Sequence, residues 1–323
     1  KKGFKTVESD PKNTGETQTD NITQGALNYD VTLSLNNDFG DFTGRSQFKY
    51  QVERTELSSS FTQGNGLVAA GIPDFANVGD QQSIFINSNN ELIKAEGFYA
   101  TAEGDYLDRY ILDFLVRRDG SSLFGAEERW QTYFRAAGAW RVAQEPWWPL
   151  QDQVNAFKLR YSYGTAGARP DFEAQYETFE LDQGNLQKNT LGNAALKPEL
   201  QTEQEYGVEL GLFDRLYFNV TYADSRVEDQ LLEIPLIGPL GFSNQWQNAG
   251  TVESNTIEVS VDADLIRTRD FAWNLGLTFD RTRQEITEFN ANAFRAGPED
   301  IFYYRGGETI GAMYGNKWIS STS

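Results

Sequence analysis

Leu27-Asn28-Tyr29-Asp30-Val31-Thr32-Leu33-Ser34-Leu35-Asn36 alternates apolar and polar side chains without a break. A period of two places each kind on its own face of a β-strand. Outward from this stretch, ten strands are predicted, at 26–36, 43–54, 92–104, 106–118, 129–142, 154–165, 202–213, 216–229, 247–265 and 270–286. Phe48, Tyr50 and Val52 oppose Gln47, Lys49 and Gln51, and Tyr110, Leu112, Phe114 and Val116 repeat the scheme. Phe157, Leu159, Tyr161 and Tyr163 do the same, as do Leu216, Phe218, Val220 and Tyr222, and Ile257, Val259 and Val261. Phe271, Trp273, Leu275, Leu277 and Phe279 form the last apolar face. The stretch at 92–104 alternates weakly and reads as partly loop. Ten residues of strand, at ~3.3 Å each and tilted about 40°, rise roughly 25 Å, the height of the apolar band of a transmembrane barrel. Strands of soluble sandwiches are usually about five or six residues long.

The connections between these strands alternate in length. Short ones are expected near Asn37–Asp41, Gly104–Asp105, Asp214–Arg215 and Arg267–Asp270, with Ala143–Gln153 somewhat longer. Long ones are expected at 55–91, 119–128, 164–201, 230–246 and from 287 onward. Short turns at one end and long loops at the other describe a barrel in a membrane, whereas a sandwich mixes both kinds at both ends. Trp130, Trp147 and Trp148 fall near strand ends, where indoles favour a membrane interface, although ordinary turn contacts also suit them. The predicted fold is all-β, an antiparallel transmembrane β-barrel.

Composition bounds the chemistry. The chain has 323 residues, a formal charge of −19, 39% apolar residues and 14% aromatic ones. Mean hydropathy is −0.56, and no apolar run approaches the ~18 residues of a membrane helix. With no His there is no imidazole base, and with no Cys there is neither thiolate chemistry nor a disulfide. The usual zinc sites are gone as well, and no cofactor or metal is expected. The acidic balance repels phosphates, so nucleic acid is excluded as a partner. It solvates loops and lumen, with steering of a cationic solute as the other reading. Lys1-Lys2-Gly3 and Ser320-Ser321-Thr322-Ser323 both read as cuts through a longer chain. Residues 1–323 are thus expected to be part of one barrel domain, incomplete at both ends.

Few constellations carry chemistry. Arg118-Asp119-Gly120-Ser121-Ser122 sits in a long-side loop. Arg118, Asp119, Ser121 and Ser122 are candidates to hydrogen-bond a polar ligand; the alternative is a tight turn that satisfies its own backbone. Phe242 and Trp246 are candidates to stack on a sugar ring, or else they fill a lid. Asp74 and Asp80 have no spaced calcium motif around them. With 47 Asp and Glu residues, a glycosidase pair cannot be argued from spacing, and the chain is not expected to be an enzyme.

Several short motifs recur in a fixed order. They run from Asp108-Arg109-Tyr110 through Arg117-Arg118-Asp119-Gly120-Ser121-Ser122 and Phe124-Gly125 to Arg129-Trp130, then Trp140-Arg141. Tyr161-Ser162-Tyr163-Gly164-Thr165-Ala166-Gly167, Arg169-Pro170 and Leu196-Lys197-Pro198-Glu199 follow, with Glu203, Asn248-Ala249-Gly250 and Glu258 beyond. Gly307-Glu308, Ile310-Gly311 and Tyr314-Gly315 close the series. In this order they resemble the SusC/RagA-type TonB-linked outer-membrane proteins, chiefly over residues 95–315. Thr256 departs from the pattern, standing where that family commonly has Gly. The resemblance implies about ten strands of a larger barrel of about 22 strands, with the plug domain and the TonB-contacting segment outside this chain. It also implies the bacterial outer membrane, energised import of a glycan, peptide or similar polar nutrient, and a SusD-like surface lipoprotein over the barrel mouth. Two further readings stay open on the residues alone: a passive pore or scaffold barrel, and a soluble β-rich lectin or glycosidase.

Overall fold

The computed structural model describes residues 2–5, 15–69, 71–182, 185–236 and 241–316. Ten long strands occur: β1 (Glu16–Asp38), β2 (Phe42–Asn65), β3 (Ile84–Tyr106), β4 (Tyr110–Ser121) and β5 (Trp130–Arg141), then β6 (Val154–Ala168), β7 (Glu199–Leu212), β8 (Leu216–Glu228), β9 (Gly250–Arg267) and β10 (Ala272–Phe289). Two compact units divide them, one of residues 1–29 and 51–95 and one of residues 30–50 and 96–323.

In the larger unit β4 to β10 pair in chain order, and the order is linear and ends at β10. From β4 to β10 each long strand pairs antiparallel with the next. Register keeps like faces together. Tyr161, Tyr206, Tyr222 and Ile257 lie side by side across β6 to β9, and Leu159, Val208, Val220, Val259 and Phe279 make the next row. Val261 pairs with Leu277 and Ala263 with Leu275 below them. The next position up the same face of β10 is Arg281, opposite Ile257. The apolar face is exposed: Leu33, Phe114, Leu277 and Phe279 each expose more than half their surface. Such a stripe marks a surface made for lipid or another apolar partner.

Most of the buried apolar side chains sit instead near the longer connections. Leu196 is 1% exposed and Ile286 2%, and Phe124, Ala174 and Ala249 are also buried. Asn248 knits this end together. Its Nδ2 donates to the carbonyls of Lys197 and Asp229, and its Oδ1 accepts from the Lys197 amide. Two of the recurrent motifs, Leu196-Lys197-Pro198-Glu199 and Asn248-Ala249-Gly250, therefore meet in space.

At the other end the turns are tight. Arg109 N–H donates to Tyr106 C=O and Arg215 N–H to Leu212 C=O. Leu107 and Asp108, like Phe213 and Asp214, have φ between 52° and 58°, the double positive φ of a type I′ hairpin. The first of these turns lies three residues beyond the expected Gly104–Asp105, because Gly104 stays in the strand.

In the smaller unit, Lys2–Lys5 pairs antiparallel with Glu16–Thr19. The connection after β2 carries two short 3-10 turns, Phe75–Asn77 and Gln81–Ser83. Asp74 and Asp80 cap them, each carboxylate accepting from a backbone N–H two residues on. All ten predicted strands are present, and several are longer than the alternation suggested. The weak stretch at 92–104 belongs to a strand of 23 residues. The expected loop at 55–91 shrinks to 66–83, because polar Ser58-Ser59-Ser60 continues β2. Where both faces of a strand meet water, nothing enforces a period of two.

Candidate functional site

Antiparallel register decides which side chains of β4 and β5 share the polar face. Arg117 pairs with Tyr133, Asp119 with Gln131 and Leu115 with Arg135. All six point away from the row made by Tyr110, Leu112, Phe114 and Val116. At the end with the longer connections they line a recess of about 320 Å³, with Tyr99, Ser121, Arg129 and Arg169 at its margins. Arg117 forms an ion pair with Asp119, and its guanidinium lies 4.7 Å from the centre of the Tyr99 ring. The Arg135 Nε donates to Asp113 Oδ1 at 3.0 Å. Two glycines shape the neighbourhood by close approach. A Cβ on Gly167 would sit 1.9 Å from the Tyr133 hydroxyl, so that phenol occupies the space a side chain would need. A Cβ on Gly120 would meet the Trp130 indole at 2.9 Å.

The candidates expected from sequence separate here. Asp119 and Ser121 line the recess. Ser121 is 4% exposed, and its Oγ accepts from the Leu123 N–H. Arg118 lies on the opposite, apolar face with its guanidinium 5.8 Å from the Trp130 ring. The Ser122 carbonyl accepts from the Gln175 side chain. Phe242 is buried against Phe179, with Lys188 Nζ 4.7 Å from its ring. Trp246 lies in the hairpin formed by Leu231–Pro235 and Asn244–Asn248, and its carbonyl accepts from Asn193 Nδ2. Neither of these two aromatics lines the recess. The sequence reading passed over Arg117, Arg129, Arg135, Arg169 and Tyr133. The signal for Arg117 was present: counting by twos from Tyr110 puts Arg118 on the apolar face and Arg117 on the polar one.

The opposite end has its own charged centre. Glu145, 3% exposed, follows the Val142–Gln144 turn. It accepts from Trp140 Nε1 at 2.9 Å and from Arg109 Nη1 at 2.8 Å. Hydrogen bonds from Tyr110 and Trp140, with the Arg109 guanidinium, hold its carboxyl below the ordinary carboxylate range, against the upward push of burial. Trp147 and Trp148 extend an aromatic cluster from Trp140 to Phe157 around it. Outside the sheet, an ion pair to Glu308 raises Arg305 above the ordinary arginine value.

Three comparisons place this architecture. The family described as TonB dependent receptor-like, beta-barrel matches residues 3–321. TonB-dependent receptor P39 of Formosa agariphila is 33% identical over 227 residues, 68% of this chain and 22% of that protein. TonB-dependent receptor SusC of Bacteroides thetaiotaomicron is 26% identical over 219 residues, 63% of this chain and 21% of that protein. The chain thus spans about a fifth to a quarter of these relatives. Among solved structures, the RagAB peptide transporter superposes with a TM-score of 0.79 at 19% identity, over 91% of this chain and 34% of that one. The outer membrane transporter YddB of Escherichia coli follows the same fold with a TM-score of 0.59 at 11% identity, over 84% of this chain and 34% of that one. These proteins are receptors and transporters, not enzymes. Strand pairing, exposed apolar rows and the match over 3–321 agree that this chain belongs to the TonB-dependent receptor-like β-barrel family, as an antiparallel transmembrane barrel portion of the SusC kind.

Proposed function

We propose that this chain is part of the barrel domain of a TonB-dependent importer in the bacterial outer membrane, one that carries a glycan, a peptide or a similar polar nutrient. Residues 1–323 make one stretch of that domain in this reading. The plug and the segment that contacts TonB lie elsewhere in the protein. The family match over residues 3–321 carries the reading. The relatives named TonB-dependent receptors support it, as does the polar face of β4 to β7, which would line a lumen. A SusD-like lipoprotein is the expected surface partner. That expectation follows the likeness to SusC and to RagAB, and the knitted connections around Asn248 offer a firm platform for such a lid. Asp119 and Ser121 are the recess residues proposed to meet solute.

The test uses the intact receptor. Its gene is deleted in the source bacterium and growth is scored on a panel of glycans and peptides as sole carbon source. A defect on one class, restored by the wild-type gene but not by one lacking the TonB-contacting segment, is expected. Restoration by both genes would favour a passive pore. Purification in mild detergent should also bring down a lipidated subunit; a barrel that purifies alone would remove the partner from the proposal.

A further inference from the structure

The chain as a whole carries a charge of −19, yet the recess on the polar face of β4 to β6 is lined by four arginines and one aspartate. A cation-rich pocket on an anionic protein is a local reversal of sign, and low-dielectric walls sharpen such a field. The composition of the lining is specific as well. Every cation in it is Arg, whose planar fork grips carboxylate, sulfate or phosphate in a bidentate fashion that Lys cannot reproduce. Resting partners are already in place: Asp119 holds Arg117, and Asp113 holds Arg135. Arg129 and Arg169, both exposed, complete the lining. Tyr133 and Gln131 add neutral donors beside them, and Tyr99 backs Arg117 with its ring face. A volume of about 320 Å³ lies at the small end of ligand pockets, roughly 300–1,000 Å³. It suits one residue of a polymer rather than a whole chain.

We propose that this recess is a subsite for an oxyanion carried by the transported solute, a carboxylate or a sulfate, so that the importer takes anionic oligomers. Arg129 and Arg169 make first contact at the margin, and Arg117 and Arg135 supply the deeper positive field. The inference rests on the import reading above and deepens it. Lumenal placement at the end with the long connections puts the recess where an entering solute passes, and counter-charge there would slow its return.

The experiment measures binding to the intact receptor in detergent by calorimetry, with four probes. These are a hexagalacturonate, a sulfated galactan hexasaccharide, a Glu-rich hexapeptide and neutral maltohexaose. Wild type should bind at least one anionic probe at least tenfold more tightly than maltohexaose, and that affinity should fall as salt rises from low to physiological ionic strength. The arm that binds distinguishes sugar carboxylate, sugar sulfate and peptide carboxylate as the source. The double variant Arg129→Gln/Arg169→Gln should lose at least tenfold for the bound anion and nothing for maltohexaose. Both positions are exposed, and an unchanged gel shift on heating confirms that the barrel has folded. Equal affinity for anionic and neutral probes, salt-independent binding, or an unaffected double variant would each overturn the subsite. Receptor-dependent growth on a neutral glycan in the same strains would leave import standing while the anion subsite fell. Loss of all receptor-dependent growth phenotypes would remove import itself.

Discussion

Leu275 and Asn274 are adjacent, yet they face different solvents. Leu275 pairs with Ala263 in the apolar row and Asn274 with Asp264 in the polar one. In the membrane placement proposed above, Leu275→Arg is expected to cost roughly 2–4 kcal/mol, the range for a basic residue near the midplane of a barrel's lipid face. Asn274→Arg leaves its guanidinium in water and is expected to change stability by no more than about 0.5 kcal/mol. Folding titrations of the intact barrel into lipid bilayers measure both, and equal losses would reverse the assignment of faces. Glu145 makes a prediction in pH. Its carboxyl is held low in the folded state, so its contribution is complete above the ordinary carboxylate range and is lost as pH falls through the depressed value. Wild type should therefore be more stable than Glu145→Gln at neutral pH, with the gap closing only in strong acid. Urea midpoints taken across that range check the sign. A gap that widened on acidification would contradict it.

At the scale of strands and turns, legibility followed solvent. β10 was readable because lipid on one side and water on the other write a period of two into Phe271 to Phe279. The residues 55–65 read as loop because Ser58-Ser59-Ser60 interrupts the alternation between Leu57 and Phe61, and two apolar residues four apart write no period of two. The Leu107–Asp108 turn was missed for another reason: type I′ geometry usually announces itself with Asn-Gly or Asp-Gly, and here Leu and Asp adopt positive φ instead. The recess was the least readable feature. Its four arginines span positions 117 to 169, and only strand register brings them together. Asn248 illustrates the same limit, since its partners Lys197 and Asp229 are 51 and 19 residues away. Removing three hydrogen bonds worth about 1 kcal/mol net apiece, Asn248→Ala should lower the local opening free energy of 193–198 and 229–232 by about 1–3 kcal/mol. Hydrogen exchange read by mass spectrometry should show faster labelling there and none in the β8–β9 ladder. Uniform acceleration would mean that the residue holds the whole sheet rather than its loops.

Across the molecule, charge changes sign around the polar face. β4 to β6 carry Arg117, Arg135, Lys158 and Arg160, and β7 answers with Glu205 and Glu209, both paired to Arg160. Further on, Glu258 lies opposite Asp280, with Asp262 nearby. Like charges directly opposite each other destabilise a sheet, so Glu258 and Asp280 cost stability where the Arg160 pairs add to it. The outer face has a simpler order. Its apolar rows stop at Arg281, and Arg283 follows two residues on. That stop fixes the draught at which these strands float. Sinking by one outward position would carry Arg281 into hydrocarbon at roughly 2–4 kcal/mol, and rising by one would strand Phe271 and Trp273 in water. The wall is thereby denied any piston stroke along the membrane normal. Whatever travels during a transport cycle must travel within a stationary rim.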